Sequence, residues 1–375
     1  MSSTLFPEFS PADKQTWLTQ VSKDLKGADI QPVIQWEFEK GLQAEALLFP
    51  NEVGNFEYQQ ILANPNPNFD TQVWRNCMEI VVRDEKIANT IALEALNQGI
   101  DEIVFLLDEK MTKIINFDSL LNKILLPYCA ISFEIMNEIT DEIINEKTTF
   151  LDKYTTYVSS QNYDFQVISG SIRENISIKE VSTSNLLTTK LGIHFKTLVL
   201  KPSNPTQENS EQLTDILQQL TAILAKAADK KQILETLQIE ITVKSLFFVE
   251  IAKLRALRLL LLQVSSMYSV EMQAHEFTIH VRTSLQQTSN INQNLLSNTT
   301  QAMSAIIGGC NILTITPHNN EYNNDKPAFA ARIARNVSNL LKEESYFDKV
   351  ADAANGSYYV EQLTDKIAEA AWKNF

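Results

Sequence analysis

From residue 77 onward the chain repeats one theme, a short apolar stretch followed by a longer stretch whose apolar residues fall three and four apart. The stretches with strand character are CMEIVV from Cys77, EIVFLL from Glu102, YCAISFEI from Tyr128, DFQVIS from Asp164, HFKTLVL from His194, QIEITV from Gln238, FTIHVR from Phe277 and CNILTI from Cys310, eight in all. Between them lie EKIANTIALEALNQG, SEQLTDILQQLTAILAKAA, FFVEIAKLRALRLLLLQV and NLLSNTTQAMSAIIGG, helical in spacing and in part stopped by glycine. Strict alternation demands crossover connections and therefore a parallel sheet, and eight units suit a sheet closed on itself. The expected fold class is α/β, a (β/α)8 TIM barrel over residues 71–375, with an open doubly wound sheet as the alternative. Two stretches fit the repeat poorly: IHVRTSLQQTS reads equally as loop, and Ser171 to Leu191 has weak helical periodicity.

Residues 1–70 stand outside the repeat and read as an N-terminal arm. Ser10 as cap, Pro11 in the first turn and Asp13 at the positive end predict a helix carrying Trp17, Val21 and Leu25 on one face, ended by Gly27. A strand is expected at VIQWEF, and the Pro- and Asn-rich run PNEVGNFEYQQILANPNPNFD argues against regular structure before the barrel. With Phe6, Phe9, Trp17 and Trp36, the arm is too apolar to lie free in water. It is expected to clasp a partner subunit, with packing on its own barrel as the alternative.

Composition narrows the function classes. A net charge of −14 and a pI near 4.9 exclude a phosphate-backbone or anionic-membrane binder and point to proteins or small molecules as partners. Cys77, Cys129 and Cys310 are odd in number and far apart, which suggests neither a disulfide framework nor a thiolate zinc site. The start MSSTLFPEFSPADK lacks the basic and apolar regions of a signal peptide, and LRALRLLLLQV is too short to span a bilayer, so a cytoplasmic location is expected.

In a barrel, chemistry belongs to the loops after the C-terminal strand ends. The polar groups there are Arg83, Asp84, Glu85, Asp108, Glu109, Glu138, Arg173, Lys201, Lys244, His280, Arg282 and His318. A stand-alone barrel enzyme would need such groups to converge, for instance Asp108, Glu138, His280 and His318 as a mixed carboxylate and imidazole metal site, but none has a diagnostic spacing. His194 and His275 read as structural imidazoles, and the cysteines as buried apolar residues rather than nucleophiles. Nine glycines include no phosphate-cradling motif, and Gly308-Gly309 reads as a helix stop. The pattern of Phe247, Phe248, Ile251, Leu254, Leu257 and Leu261 reads as a core stripe, with Arg255 and Arg258 available for ion pairs.

Several segments resemble the methylmalonyl-CoA mutase family. RIARNVSNLLKEESYFDKVADAANGSYYVEQLTDKIAEAAW, Arg332 to Trp372, looks like the segment that closes the barrel domain there, where R-I-A-R-N, E-E-S, K-V-A-D, G-S-Y and E-x-L-T recur. FFVEIAKLRALR resembles the helix F-x-x-E-I-A-K-x-R-A-x-R, and TTQAMSAIIGG resembles E-A-M-A-A-x-x-G-G. FPEFSPADKQTWLTQVSKDLKG and ANTIALEALNQGIDEIVF look more like the small subunit than the catalytic one.

The resemblance implies a barrel that shields radical chemistry and a large subunit that uses adenosylcobalamin to interconvert methylmalonyl-CoA and succinyl-CoA. Departures from the catalytic pattern are specific. Where S-G-Y-H-M-Q-E-A-G-A stands there, this chain has KPSNPTQENSEQ, so the Tyr-His pair has no counterpart around Asn204 and Pro205. H-C-Q-T-S-G becomes HVRTSL, which keeps His280, Thr283 and Ser284 but puts Arg282 in place of Gln; G-G-T-Q-S-L-H-T-N becomes GGCNILTITPHN, and F-D-L-P-T-Q becomes FLLDEKMTK. The cobalamin motif D-x-H-x-x-G is absent, since Gly192, Gln273, Thr278 and Thr316 stand two before His194, His275, His280 and His318.

These departures imply the small, non-catalytic subunit of a heterodimer, with adenosylcobalamin on the large partner subunit, no cobalamin-binding domain in this chain and no nucleic acid or membrane partner. No catalytic, cofactor or metal residue is expected; Lys201, Lys244, His280, Arg282 and His318 are the candidates for any remaining pocket. A barrel that works with a separate cobalamin subunit is the other reading, disfavoured by the lost Tyr-His pair.

Overall fold

Eight parallel strands follow one another in sequence order: β1 (Arg75–Val81), β2 (Glu102–Leu107), β3 (Ala130–Ile135), β4 (Gly170–Arg173), β5 (Phe195–Lys196 and Leu198–Leu200), β6 (Leu237–Val243), β7 (Thr278–Thr283) and β8 (Ile312–Thr314). β8 pairs back with β1, Ile312 opposite Arg75. The ring closes through β5, whose first half pairs with β4, Gly170 opposite Phe195, and whose second half pairs with β6, Leu198 opposite Leu237. The structure, a computed structural model, describes residues 13–49, 58–63, 73–136, 141–173, 190–284, 290–317 and 327–375. The expected closed α/β barrel is what the chain forms.

The strands match the sequence expectation closely except at β4. DFQVIS carries a single 3-10 turn, Phe165–Val167, because the Asp164 carboxylate accepts the Gln166 amide and bends the chain. The strand begins instead at Gly170, where φ is +145° and a Cβ would sit 1.9 Å from the Ile131 carbonyl oxygen. Glycine alone permits that approach. Most of Ser171 to Leu191 lies outside the described residues.

Around the barrel lie α1 (Glu85–Leu96), the short α2 (Glu109–Ile114) and α3 (Phe117–Leu120), α4 (Asp141–Ser160), α5 (Asn209–Leu224), α6 (Phe247–Met267), α7 (Ile291–Ile307), α8 (Pro327–Glu343) and α9 (Tyr358–Asn374). α6 is buried nearly all round, since α9 covers the side away from the barrel. Its Phe248 breaks the expected stripe by remaining half exposed, and Arg258 makes no ion pair among the described residues but donates to the carbonyls of Ala274, Phe277 and Gly309 and to the Asn311 side chain. Arg255 behaves as expected: it ion-pairs with Asp352 and grips Glu361 of α9 at 2.7 and 2.8 Å. Further round, Trp74 donates to Ser338 at 2.9 Å and Asn76 to the Arg335 carbonyl, both on α8. The Arg332 to Trp372 stretch thus serves as scaffold, clamped to the barrel by these contacts. α7 stops at Gly308, with Gly309 at φ +88°, as read from the sequence.

Within the arm, the helix spans Lys14–Asp24 and its cap is Asp13, which accepts the Thr16 amide at 2.7 Å; Ser10 and Pro11 lie outside the described residues. A hairpin of Gln35–Glu39 and Leu42–Glu45 follows. It rests on this chain's own barrel: Phe38 and Ala44 join the main core, and Glu39 reaches the first turn of α5. No helix among the described residues is long and apolar enough to cross a membrane.

Candidate functional site

Inward-facing positions of such a barrel are usually layered with Val, Ile and Leu. Here the apolar share of the interior is a small cluster of Cys77, Val104 and Ile312, with Leu106 packed against it. Most of the remaining space is charged. Alternation along each strand turns Glu79 of β1, Glu102 of β2, Glu134 of β3, Arg173 of β4, Glu240 of β6, and His280 and Arg282 of β7 to the same side of the sheet.

At the inner level, Glu102 accepts from Ser132 at 2.7 Å and lies 3.2 Å from both Arg173 and Arg75. Arg173 spans the interior to Glu240 at 3.2 Å and donates to Ser171 at 3.1 Å. His280 is fully buried, 2.8 Å from the Thr314 hydroxyl and 3.4 Å from Glu240. Toward the C-terminal strand ends, Arg282 is the hub. It ion-pairs with Glu79, and with Glu134 and Glu240 at 2.9 Å each. Lys201 adds a looser contact to Glu134 at 3.7 Å.

Four carboxylates therefore meet four cations, Arg75, Arg173, Lys201 and Arg282, in one network. Burial alone would lift Glu240, but His280, Arg282 and Arg173 hold it well below the usual carboxylate range. Burial also opposes ionisation of Glu102, and Arg75 and Arg173 outweigh it. At Glu79 burial wins over Arg282, and its pKa is raised. Burial, aided by Arg173, pushes His280 down to about 4, so it is neutral at physiological pH. A neutral, fully buried imidazole held between Thr314 and Glu240 reads as a structural hydrogen-bonding group.

Of the sequence candidates, Arg282, His280 and Lys201 meet in this network. Lys244 does not join it: its ammonium donates to the carbonyls of Gln207 at 2.8 Å and Thr206 at 3.4 Å, tying the end of β6 to the loop after β5. Its pKa is lowered by burial and by nearby Lys253. Asp108 caps α2 by accepting the Met111 amide at 2.8 Å, while His318 and Glu138 lie outside the described residues. Among the described residues, no three His, Cys, Asp or Glu side chains are grouped to hold a metal ion. Burial pushes the thiols of Cys77 and Cys310 up to about 12 and that of Cys129 up to about 11, which removes them as nucleophiles.

Sequence reasoning missed Glu79, Glu102, Glu134 and Glu240. The signal was present: each is an acid inside, or opening, an otherwise apolar strand, as in CMEIVV, EIVFLL, AISFEI and QIEITV. A charge in a fully buried strand must find a counter-charge.

Comparison with known proteins gives a consistent set of relatives. Residues 146–375 match the family described as methylmalonyl-CoA mutase. The methylmalonyl-CoA mutase small subunit of Porphyromonas gingivalis is 28% identical over 399 residues, 99% of this chain and 63% of that protein. The small subunit of Streptomyces virginiae is 33% identical over 46% of this chain and 28% of its own length, and the methylmalonyl-CoA mutase of Cereibacter sphaeroides is 31% identical over 66% and 33%. The chain spans about three fifths of the length of the first relative, from its 63% coverage, and a third or less of the other two.

Proposed function

This chain belongs to the methylmalonyl-CoA mutase family, and from that premise we propose that it acts in the cytoplasm as the small, non-catalytic subunit of an adenosylcobalamin-dependent mutase. Its partner on this reading is a large catalytic subunit that interconverts methylmalonyl-CoA and succinyl-CoA, with the cofactor bound to that partner. The observation that carries the reading is Arg282. Its guanidinium, engaged by Glu79, Glu134 and Glu240, fills the interior where a reacting acyl group would need space, and leaves those carboxylates committed. Among the described residues, the inner carboxylates are engaged by the barrel's own cations, which supports a role outside catalysis.

The three histidines among the described residues fit a cobalt ligand poorly. His280 is sealed inside the barrel against Thr314, while His194 and His275 line a cavity at the N-terminal strand ends. The same arguments weigh against a stand-alone barrel enzyme and against a mutase barrel that receives a separate cobalamin subunit.

The test is co-expression with a large mutase subunit. A stable one-to-one complex by size exclusion with light scattering supports the assignment; a chain that elutes alone at micromolar concentration overturns it.

A further inference from the structure

α8 turns one side to the barrel through Ala330, Ala334, Val337 and Leu341, all buried. The opposite side, at intervals of three and four residues, reads Phe329, Arg332, Asn336, Leu340 and Glu343, and all five are exposed. Phe329 and Leu340 are 44% and 46% exposed, and Tyr346, just past the helix end, is 62% exposed. The Arg332 guanidinium lies 5.3 Å from the centroid of the Phe329 ring, which holds a cationic and an apolar group side by side. Next to this face runs a second apolar ridge, the exposed Ile87 and Ile91 of α1. Gln98, on the same ridge, accepts from Asn339 of α8 through its carbonyl at 3.2 Å.

The order of residues along that face and its charge narrow what can cover it. Arg332 and Leu340 stand four residues to either side of Asn336, and Phe329 and Glu343 stand seven, so the pattern is symmetric in position and complementary in chemistry. α8 has no acid in its first turn and ends on Glu343, with Glu344 next, at the end where the helix dipole favours cations; Lys342 offsets only part of this. Arg335 lies in the field of Glu94 on α1, and Lys349, near Glu343, is paired with Asp348 at 2.8 Å. Arg332 and Glu343 are therefore the charges that frame the face. A copy of the helix laid antiparallel about a two-fold axis at Asn336 puts Phe329 against Leu340 and Tyr346 and sets Arg332 within one turn of Glu343. A parallel copy would set like charge on like charge.

We propose that this face is a self-complementary contact between two copies of the chain, α8 packed antiparallel on α8 across a two-fold axis at Asn336. The ridge of Ile87 and Ile91 widens the contact on either side. A helix of 17 residues is about 25 Å long, which places the interface at the small end of the specific range and the Kd on the order of tens of micromolar. The inference is independent of the subunit assignment and stands or falls without it.

Sedimentation equilibrium of the full chain, from about 5 to about 300 µM, tests it. The weight-average mass is expected to rise from 42.5 kDa toward twice that value. Arg332→Glu, Glu343→Arg and Leu340→Ser should each weaken self-association at least tenfold, because a two-fold contact meets every substitution twice. Mixing the two charge variants discriminates the arrangement. An Arg332→Glu copy and a Glu343→Arg copy complement each other only across an antiparallel pair, so the equimolar mixture should associate as well as the wild-type chain while each variant alone stays monomeric. A wild-type chain that remains at 42.5 kDa throughout overturns the proposal, as does a dimer that Arg332→Glu and Leu340→Ser leave unchanged. A mixture that fails to associate overturns the antiparallel pairing. The melting temperature of each variant reports its folding; if Arg332→Glu fails to fold, Glu343→Arg and Leu340→Ser decide.

Discussion

Replacing Arg282 with methionine removes the cation shared by Glu79, Glu134 and Glu240 while keeping most of the side-chain volume. Breaking a buried ion pair from one side costs about 3–5 kcal/mol, and the 21% exposure of Arg282 places the loss near the lower end, about 3 kcal/mol. With an unfolding entropy of about 2.1 cal/mol/K per residue, a chain of 375 residues changes by roughly 0.8 kcal/mol per degree, so Tm should fall by about 4 °C. The deficit should depend on pH. Without Arg282 the folded-state pKa values of Glu79 and Glu240 rise, and a carboxylate whose folded pKa lies above its unfolded value destabilises at high pH and ceases to as protonation neutralises it. Scanning calorimetry at pH 8 and pH 5.5 should therefore show the larger deficit at pH 8, and adding Glu79→Gln should recover part of it. A Tm loss under about 1 °C, or a deficit that grows on acidification, refutes the view of Arg282 as an electrostatic hub.

Other expectations follow from single contacts. Glu39 caps α5 from a distance, accepting the amides of Asn209 at 3.1 Å and Ser210 at 2.9 Å as well as the Ser210 hydroxyl, so Glu39→Gln should cost about 1–2 kcal/mol in urea denaturation. A loss below about 0.3 kcal/mol would mean that the hairpin is not anchored there. Gly170→Ala should yield insoluble or unfolded chain, because the added methyl would lie 1.9 Å from the Ile131 oxygen; a soluble variant with wild-type melting contradicts the close strand approach. A thiol-alkylating reagent at pH 7.5 should leave Cys77 and Cys310 unmodified until the chain is denatured, as read by peptide mass spectrometry, whereas rapid native labelling would contradict their burial.

How far the sequence spoke for itself depended on whether one local signal fixed the outcome. EIVFLL is β2 residue for residue, since an unbroken apolar run bounded by a helix stop and a capping Asp leaves one reading. DFQVIS misleads because its apolar residues suggest a strand while Asp164 folds it into a turn, and the register is set far away in sequence by the Ile131 carbonyl that only Gly170 can approach. The inner charge network was half legible. Arg173, His280 and Arg282 stood out at strand ends, but Glu79, Glu102, Glu134 and Glu240 acquire meaning only when closure turns them toward the same interior. The aromatic content of the arm suggests a clasp for a partner, whereas Phe38, Ala44 and Glu39 seat its hairpin on this chain's own barrel. Its part in subunit contact is a proposal that rests on its remaining exposed residues, Trp36 and Val33 among them.

The central claim, a barrel silenced by its own charges and active only through a partner, is tested most directly by turnover. Methylmalonyl-CoA and adenosylcobalamin are supplied to the purified chain alone, to a large mutase subunit alone, and to the two together, and succinyl-CoA is followed by mass spectrometry. The account expects no product from the chain alone and full turnover only where the large subunit is present. Succinyl-CoA formed by this chain without the large subunit would contradict it.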